Sequence, residues 1–519
     1  PPLTGGIFEG FVRITSMHSE TDLSATYWGG VTVQDDTVVL RVAQAGPLVF
    51  STLSSALEAA QPGNVIEITD DGIYSEVLNI NRNRDGLDLD GLILRSAPGK
   101  FPIIDAGAVT NTEAVVTVSG LERVTIEGLG IKGGAGGISF RNASGLIRNN
   151  TIEDTLQSSS SHGIALFNSR AHVFGNTLRG NGGSGIVAFA SSALIQENQI
   201  GGGNRINGIF ATPGGPLGIF ENQIVDNGNG QFEGQGIRIS SNEGLIKGNT
   251  VRGSQGSSGD GIQVSGTSSK VSFLDNTIEG NARYGVFLFQ GAEGLFLRNL
   301  FRGNPTSGLR VEGGSRAELH SIRFLENGAG IQSVSSNLLL FDSLITGSLQ
   351  PTGGDGVFAT AGTVVIQNST FFDNSGFGLR LSGAQPTVSH SIFQQNGSGD
   401  LSGGSSDDFV SNLISDGVFE GVNGNRGGEA MFADPLSLDF SLQTGSPAID
   451  RGDAEVVLSS LDLFSHERAV DGDGDGETRV DLGAIEFGSD FGIPLMVPVL
   501  SRAQTEFVGL ALTNAFSQD

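Results

Sequence analysis

The sequence contains no cysteine, one tryptophan and three tyrosines in 519 residues. Whatever its fold, no disulfide holds it together. Sugar-processing clefts usually offer aromatic platforms, and Trp28, Tyr27, Tyr74 and Tyr284 supply few of them, while the 32 phenylalanines suit stacking in a core. Positive charge is equally scarce. Lys and Arg number 29 against 56 Asp and Glu, a net charge of −27 with no basic face, which excludes nucleic acid as a partner. The most apolar stretch, residues 491–500, carries two prolines and falls far short of the roughly 20 residues that span a bilayer. No signal peptide is visible and the chain opens at Pro1, which fits a mature fragment.

Glycine, by contrast, is abundant and periodic. Eleven times it precedes an aliphatic residue, at Gly137, Gly163, Gly185, Gly208, Gly236, Gly261, Gly285, Gly308, Gly330, Gly356 and Gly378, spanning 241 residues with a mean step of about 24. Upstream of most of these lies an Asn-x-aliphatic unit, as in Asn176-Thr177-Leu178 and Asn276-Thr277-Ile278. After the glycine, residues alternate: Ile164/Leu166, Val286/Leu288, Leu309/Val311 and Leu379/Leu381 point one way, Ala165, Phe287, Arg310 and Arg380 the other. That is strand periodicity. Asn and Gly cluster where the chain must turn with φ > 0, and stacked Asn side chains can hydrogen-bond along the coil axis. The expectation is an all-β solenoid with about 24 residues and three short parallel strands per coil.

These features resemble the right-handed parallel β-helix proteins, the broad pectate-lyase-like class. Three further segments extend the likeness over residues 46 to 488. Residues 51–60 form a predicted amphipathic helix with Leu53, Ala56, Leu57 and Ala60 on one face and a capping-box pattern of Ser55 with Glu58, placed to plug the open end of the core. The following "QPGNVIEITDDGIYSEVLNI" is similar to the first coil of secreted β-helix proteins. "FADPLSLDFSLQTGSPAIDRGD" and "RVDLGAIEFG" are similar to the closing segment of bacterial surface proteins of this fold. The resemblance implies an extracellular or cell-surface setting. Four regions are expected: a strand-bearing segment 1–45, the β-helix 46–430, a closing segment 431–490 with an acidic loop, and a second strand-bearing segment 491–519.

Catalytic patterns are incomplete. Polygalacturonase-type hydrolases resemble one another in four motifs; the nearest pieces here are Ser161-His162-Gly163 and Asp407-Asp408, in reversed order and 245 residues apart. His162 reads as a turn or surface residue. Lyases and epimerases of this fold need carboxylates grouped around Ca²⁺ with a proton-transferring partner. Asp154, Asp226, Asp260, Asp275, Asp342, Asp355 and Asp373 are scattered instead, so the expectation leans away from an enzyme.

Two other patterns bear on binding. Two residues after each repeat glycine the series reads Phe210, Arg238, Gln263, Phe287, Arg310, Gln332, Phe358, Arg380, on the face expected to point away from the core. Such a stripe is either a self-packed sheet face or a docking surface, for an acidic glycan through the arginines or for a protein through the phenylalanines. In "DGDGDG", Asp471, Asp473 and Asp475 alternate as in the first half of a Ca²⁺ loop; Leu482 stands where a closing Glu is expected, with Asp481 and Glu486 as substitutes. A structural calcium ion is expected there. At the ends, "GIFEGFVRITS" and "VTVQDDTVVLRVA", and "PLMVPVLS" and "FVGLALTN", look like the last and first strands of a β-sandwich. They suggest head-to-tail self-association. The function expected is a non-enzymatic extracellular structural or adhesive protein or filament subunit, with a polysaccharide lyase, hydrolase or acidic-glycan-binding module as the alternative.

Overall fold

The computed structural model describes residues 8–16, 19–27, 38–47, 49–107, 113–228, 234–349, 353–453 and 461–488. The solenoid divides into two compact units, one ending at Gly259 and one beginning at Asp260. In both, each coil contributes one strand to each of three parallel sheets. In the first unit a representative coil runs Ser144–Arg148 in the first sheet, Thr151–Glu153 in the second and Ile164–Phe167 in the third. Successive coils stack without register shift, as in Leu146 opposite His172 and Ile164 opposite Ile186. The second unit repeats this with Lys270–Leu274, Thr277–Glu279 and Tyr284–Phe289.

Inward residues are aliphatic or phenyl and sealed from water. Ile164 and Leu166 are fully buried, as are Val286, Leu288, Leu309, Val311 and Leu379, so the alternation read from the sequence holds. The inward position of the second sheet changes character between the units. It carries Ile152, Leu178, Ile200 and Ile224 in the first, whereas in the second Phe301 stacks on Phe324 and Phe371 on Phe393, each pair 4.6 Å apart. The repeat glycines reflect crowding. A Cβ on Gly163 would sit 2.7 Å from the carbonyl oxygen of Gly185 and 2.8 Å from Leu178.

The corners are built on hydrogen-bonded ladders. Asn150, Asn176, Asn198, Asn222 and Asn249 form one: each side-chain oxygen accepts the backbone N–H of the previous member at 2.9–3.0 Å. In the second unit, Ile322 N–H donates to Ser343, Ser343 N–H to Ser369, Ser369 N–H to Ser391 and Ser391 N–H to Asn412. Asp154, Asp226, Asp275, Asp342 and Asp373 all have φ between 50° and 56°. Their scatter along the sequence thus follows left-handed corner positions, which short polar side chains tolerate.

Three expectations are revised in detail. The helix spans Leu53–Ala59, and its cap is Thr52, whose hydroxyl accepts the Ser55 N–H, while Ser55 lies inside the helix. Glu76 completes the cap by accepting the N–H groups of Leu53 and Ser54 at 2.8 and 2.9 Å. Leu53, Ala56, Leu57 and Ala60 are buried as expected. Val39–Val42, grouped by its sequence with the N-terminal segment, pairs in parallel with Val65–Ile68 and is a rung of the first sheet. Upstream, Phe8–Ser16 and Ser19–Tyr27 form a two-stranded sheet, although the second of these reads as a polar turn. The expected strands of residues 491–519 lie outside the described residues.

In the second unit the closing segment lies against the outer face of the second sheet. There, outward positions occupied elsewhere by Thr, Arg or Glu become Leu325, Leu344, Phe372 and Ile392, covered by Phe432, Phe440, Leu442, Ile449, Leu463 and Leu482. Polar contacts fix the cover: Ala430 N–H donates to Gln394, Ala484 N–H to Thr370 and Gly483 N–H to the His390 carbonyl. Arg468, 1% exposed, reaches Asp342 at 2.9 Å and Glu486 at 3.6 Å.

Candidate functional site

The outer face of the third sheet in the first unit gathers aromatic and basic side chains into a shallow trough. Each strand that follows a repeat glycine turns two side chains outward, two and four residues on. The first position gives Ser139, Ala165, Val187, Phe210 and Arg238 in register, the second Arg141, Phe167 and Phe189. Ser139, Ala165 and Val187 form a floor, 2%, 7% and 0% exposed. Around it stand half-buried rings: Phe167 stacks on Phe189 at 5.4 Å, and Phe189 meets Phe210 edge-on at 5.5 Å. The exposed Arg141 lies over Phe167 at 4.7 Å, and Arg238 over Phe210 at 5.4 Å. No carboxylate among the described residues pairs with Arg141.

His162 borders the trough, its ring 6.4 Å from Phe189. It is half-buried; its Nδ1 accepts the Ser184 N–H at 3.1 Å, which places the proton of the neutral ring on Nε2. Burial pushes its pKa down to about 4. A neutral donor at the rim is therefore what a ligand would meet at pH 7. The series two residues after each repeat glycine leaves out Arg141, Phe167 and Phe189, which stand at the second outward position. The residue four after each repeat glycine was the available signal, since it also places Phe289 against Phe287 at 4.6 Å in the second unit.

In the second unit, Gln263, Phe287, Arg310, Gln332, Phe358 and Arg380 form the continuous ladder that their spacing suggests. Their surroundings differ from an open stripe. Gln263 and Phe287 are only 6% and 9% exposed. Arg310 donates to Glu312 at 2.9 Å and to Gln332 at 3.0 Å, and Arg380 lies 3.1 Å from Asp355 while covering Phe358 at 4.2 Å. Beside them Arg283 grips the buried Asp260 through two bonds of 2.8 and 2.7 Å. These guanidiniums neutralise carboxylates in or beside their own sheet, so this stretch of the ladder is largely self-satisfied.

The acidic loop of the closing segment also departs from its sequence pattern. Asp471 and Asp473 converge, but the third carboxylate beside them is Asp450, all three within 4.8 Å. Asp475 turns to its own loop and accepts the Glu477 N–H at 2.8 Å. Asp481 is 1% exposed and accepts the N–H groups of Asp450 and Phe487 at 2.8 and 2.5 Å. Burial raises the pKa of Asp450, and the charges of Asp473 and Asp471 add to that rise. Asp407 and Asp408 serve a turn: Asp408 accepts the N–H and hydroxyl of Ser405 at 2.7 and 2.8 Å.

Among the described residues no helix is long and apolar enough to cross a membrane. No curated protein matches the chain. Among solved structures it is similar to the catalytic unit of a GH87 alpha-1,3-glucanase from Streptomyces thermodiastaticus, at 16% identity over 59% of this chain and 68% of that one, TM-score 0.43. A PL6 family alginate lyase matches at 11% identity, TM-score 0.42, over 79% of this chain, which spans 55% of the lyase's length. PfbA, a surface adhesin of Streptococcus pneumoniae, matches at 10% identity over 70% of this chain and 87% of that one, TM-score 0.35. The family model for the right handed beta helix region matches residues 114–274, 231–350 and 260–416, more than half of the 519 residues. With its stacked parallel rungs and buried asparagine ladders, the chain belongs to the right-handed β-helix family.

Proposed function

We propose that this protein is an extracellular, non-enzymatic β-helix that binds an acidic polysaccharide along the outer face of its third sheet. One observation carries the reading: the half-buried Phe167, Phe189 and Phe210 surround a floor of small side chains, with the unneutralised Arg141 at one end. Sugar rings stack on phenyl faces, and such exposed rings are costly unless a ligand covers them. Against a net charge of −27, an anionic polymer needs a local cation to dock, which Arg141 supplies. Neutral His162 adds a hydrogen-bond donor at the rim.

Binding to an array of acidic and neutral polysaccharides, followed by calorimetry on the strongest hit, tests this. The double variant Phe167→Ala/Phe189→Ala should weaken binding about tenfold, about 1.4 kcal/mol, with far-ultraviolet circular dichroism unchanged. Unchanged affinity would overturn the reading. Unsaturated products or new reducing ends during the assay would turn it toward the lyase or hydrolase alternative.

Self-association belongs to the same reading of an extracellular scaffold. It is supported by the two-stranded sheet of Phe8–Ser16 and Ser19–Tyr27. An isolated pair of strands is marginal in water and leaves an edge open to strands of a second copy.

A further inference from the structure

We infer that the closing segment carries a calcium site whose ligands are Asp450, Asp471 and Asp473, a set in which Asp450 takes the place the sequence pattern assigns to Asp475 and Asp481. The three carboxylates each offer an oxygen within 4.8 Å of the others. Two oxygens on one Ca²⁺, bound at about 2.4 Å each, can be at most about 4.8 Å apart, so a single ion can touch all three. The site holds oxygen donors alone, the preference of a hard cation, with no imidazole or thiolate to favour zinc.

Asp450 supplies an independent sign of a missing ligand. It is 1% exposed, and its Oδ1 accepts no hydrogen bond, although buried carboxylate oxygens are almost always satisfied. Its Oδ2 accepts the Asp473 N–H at 2.6 Å, which holds the carboxylate against the acidic loop. Among the described residues, Arg451 lies 3.5 Å from Asp473 and is one-third exposed, while Arg479 is engaged by Glu477. One guanidinium at the rim does not offset three converging carboxylates. A divalent ion would satisfy the orphan oxygen and remove the repulsion together, with backbone carbonyls and water filling the remaining positions of a six- to eight-coordinate shell.

The site also has a definite place in the fold. Asp450 directly follows Ala448 and Ile449, which pack in the apolar layer between the closing segment and the second sheet. A bound ion would tie the exposed loop 471–476 to that anchored turn. Its effect should therefore appear as stability of the closing segment.

Terbium luminescence and thermal unfolding of the full chain, stripped with EGTA and then titrated, test this. One Tb³⁺ should bind and be displaced by Ca²⁺, and saturating Ca²⁺ should raise the unfolding temperature. Asp450→Asn and Asp471→Asn should each weaken binding at least tenfold, whereas Asp475→Asn should stay within about twofold of the parent. If Asp450→Asn does not fold in EGTA, the exposed Asp471→Asn carries the comparison. No stoichiometric binding in the parent chain would overturn the proposal, as would a loss in Asp475→Asn equal to that in Asp471→Asn. Displacement of Tb³⁺ by Mg²⁺ as readily as by Ca²⁺ would overturn the assignment to calcium.

Discussion

His162 shows how a single side chain is set by its neighbours. Half-buried against Phe189 and accepting a backbone N–H on Nδ1, it has its pKa pushed down to about 4, below the ordinary value of 6.5. The sign of the pH effect follows from linkage. Between pH 4 and 6.5 the unfolded chain binds a proton at this site that the folded chain does not, so the stability is fully present above pH 6.5, declines as pH falls from 6.5 toward 4, and is lost once pH has fallen through the folded pKa of about 4. Titration of the His162 ring protons by NMR should give an apparent pKa near 4, and urea midpoints should drop between pH 7 and 4.5 by less in His162→Gln than in the parent. A ring that titrates near 6.5 would contradict the buried, neutral state. Nothing in Ser161-His162-Gly163 announces this, because the residues that desolvate it arrive from the next coil.

At the scale of the element, the asparagine ladders are where sequence and structure agree most closely. Asn198 illustrates their energetics: its side chain accepts from the backbone and side chain of Asn176 at 2.9 and 3.0 Å. It donates to the carbonyls of Val173 and Gln196, each at 2.9 Å. Asn198→Ala would leave several buried groups without partners, and each orphan costs about 1–3 kcal/mol. A loss of at least about 2 kcal/mol is expected in urea unfolding followed by circular dichroism, with the β spectrum retained. Asn at a fixed place in successive coils of the first unit made this legible, since only the ladder explains a buried polar residue recurring at that corner. The helix cap was less legible. Thr52 and Ser55 both fit an N-cap, and Glu76, which settles the choice by accepting the first two N–H groups, lies more than twenty residues away.

At the scale of the whole molecule, charge and chain ends govern behaviour toward other molecules. A net charge of −27 disfavours casual self-adhesion, and the assembly proposed above is by specific strand addition. If residues 494–519 complete the sheet formed by Phe8–Ser16 and Ser19–Tyr27 of a neighbouring copy, the contact is head-to-tail, and a contact of that kind that does not close by rotation grows. Light scattering should then show concentration-dependent polymers for the full chain and a monomer after deletion of residues 494–519. A full chain that remains monomeric at high concentration would remove this part of the reading.

The sequence by itself determined the β-helix, its period, its inward residues and its corner asparagines, because each of these repeats locally and obeys strand alternation or the left-handed turn. It also marked the acidic loop and the ladder from Phe210 to Arg380. Only the tertiary structure decided which of those residues stay available. Arg310 and Arg380 meet Glu312 and Asp355, Asp481 is buried within the closing segment, and Asp450, some twenty residues before the acidic loop, comes to face it. The apolar turn of Leu325, Leu344, Phe372 and Ile392 on an outward position was visible in the repeats, but its meaning required the cover that packs on it. A repeat specifies its own contacts with the next coil. Contacts made by segments outside the repeat arise from packing at long separation, which no local pattern encodes.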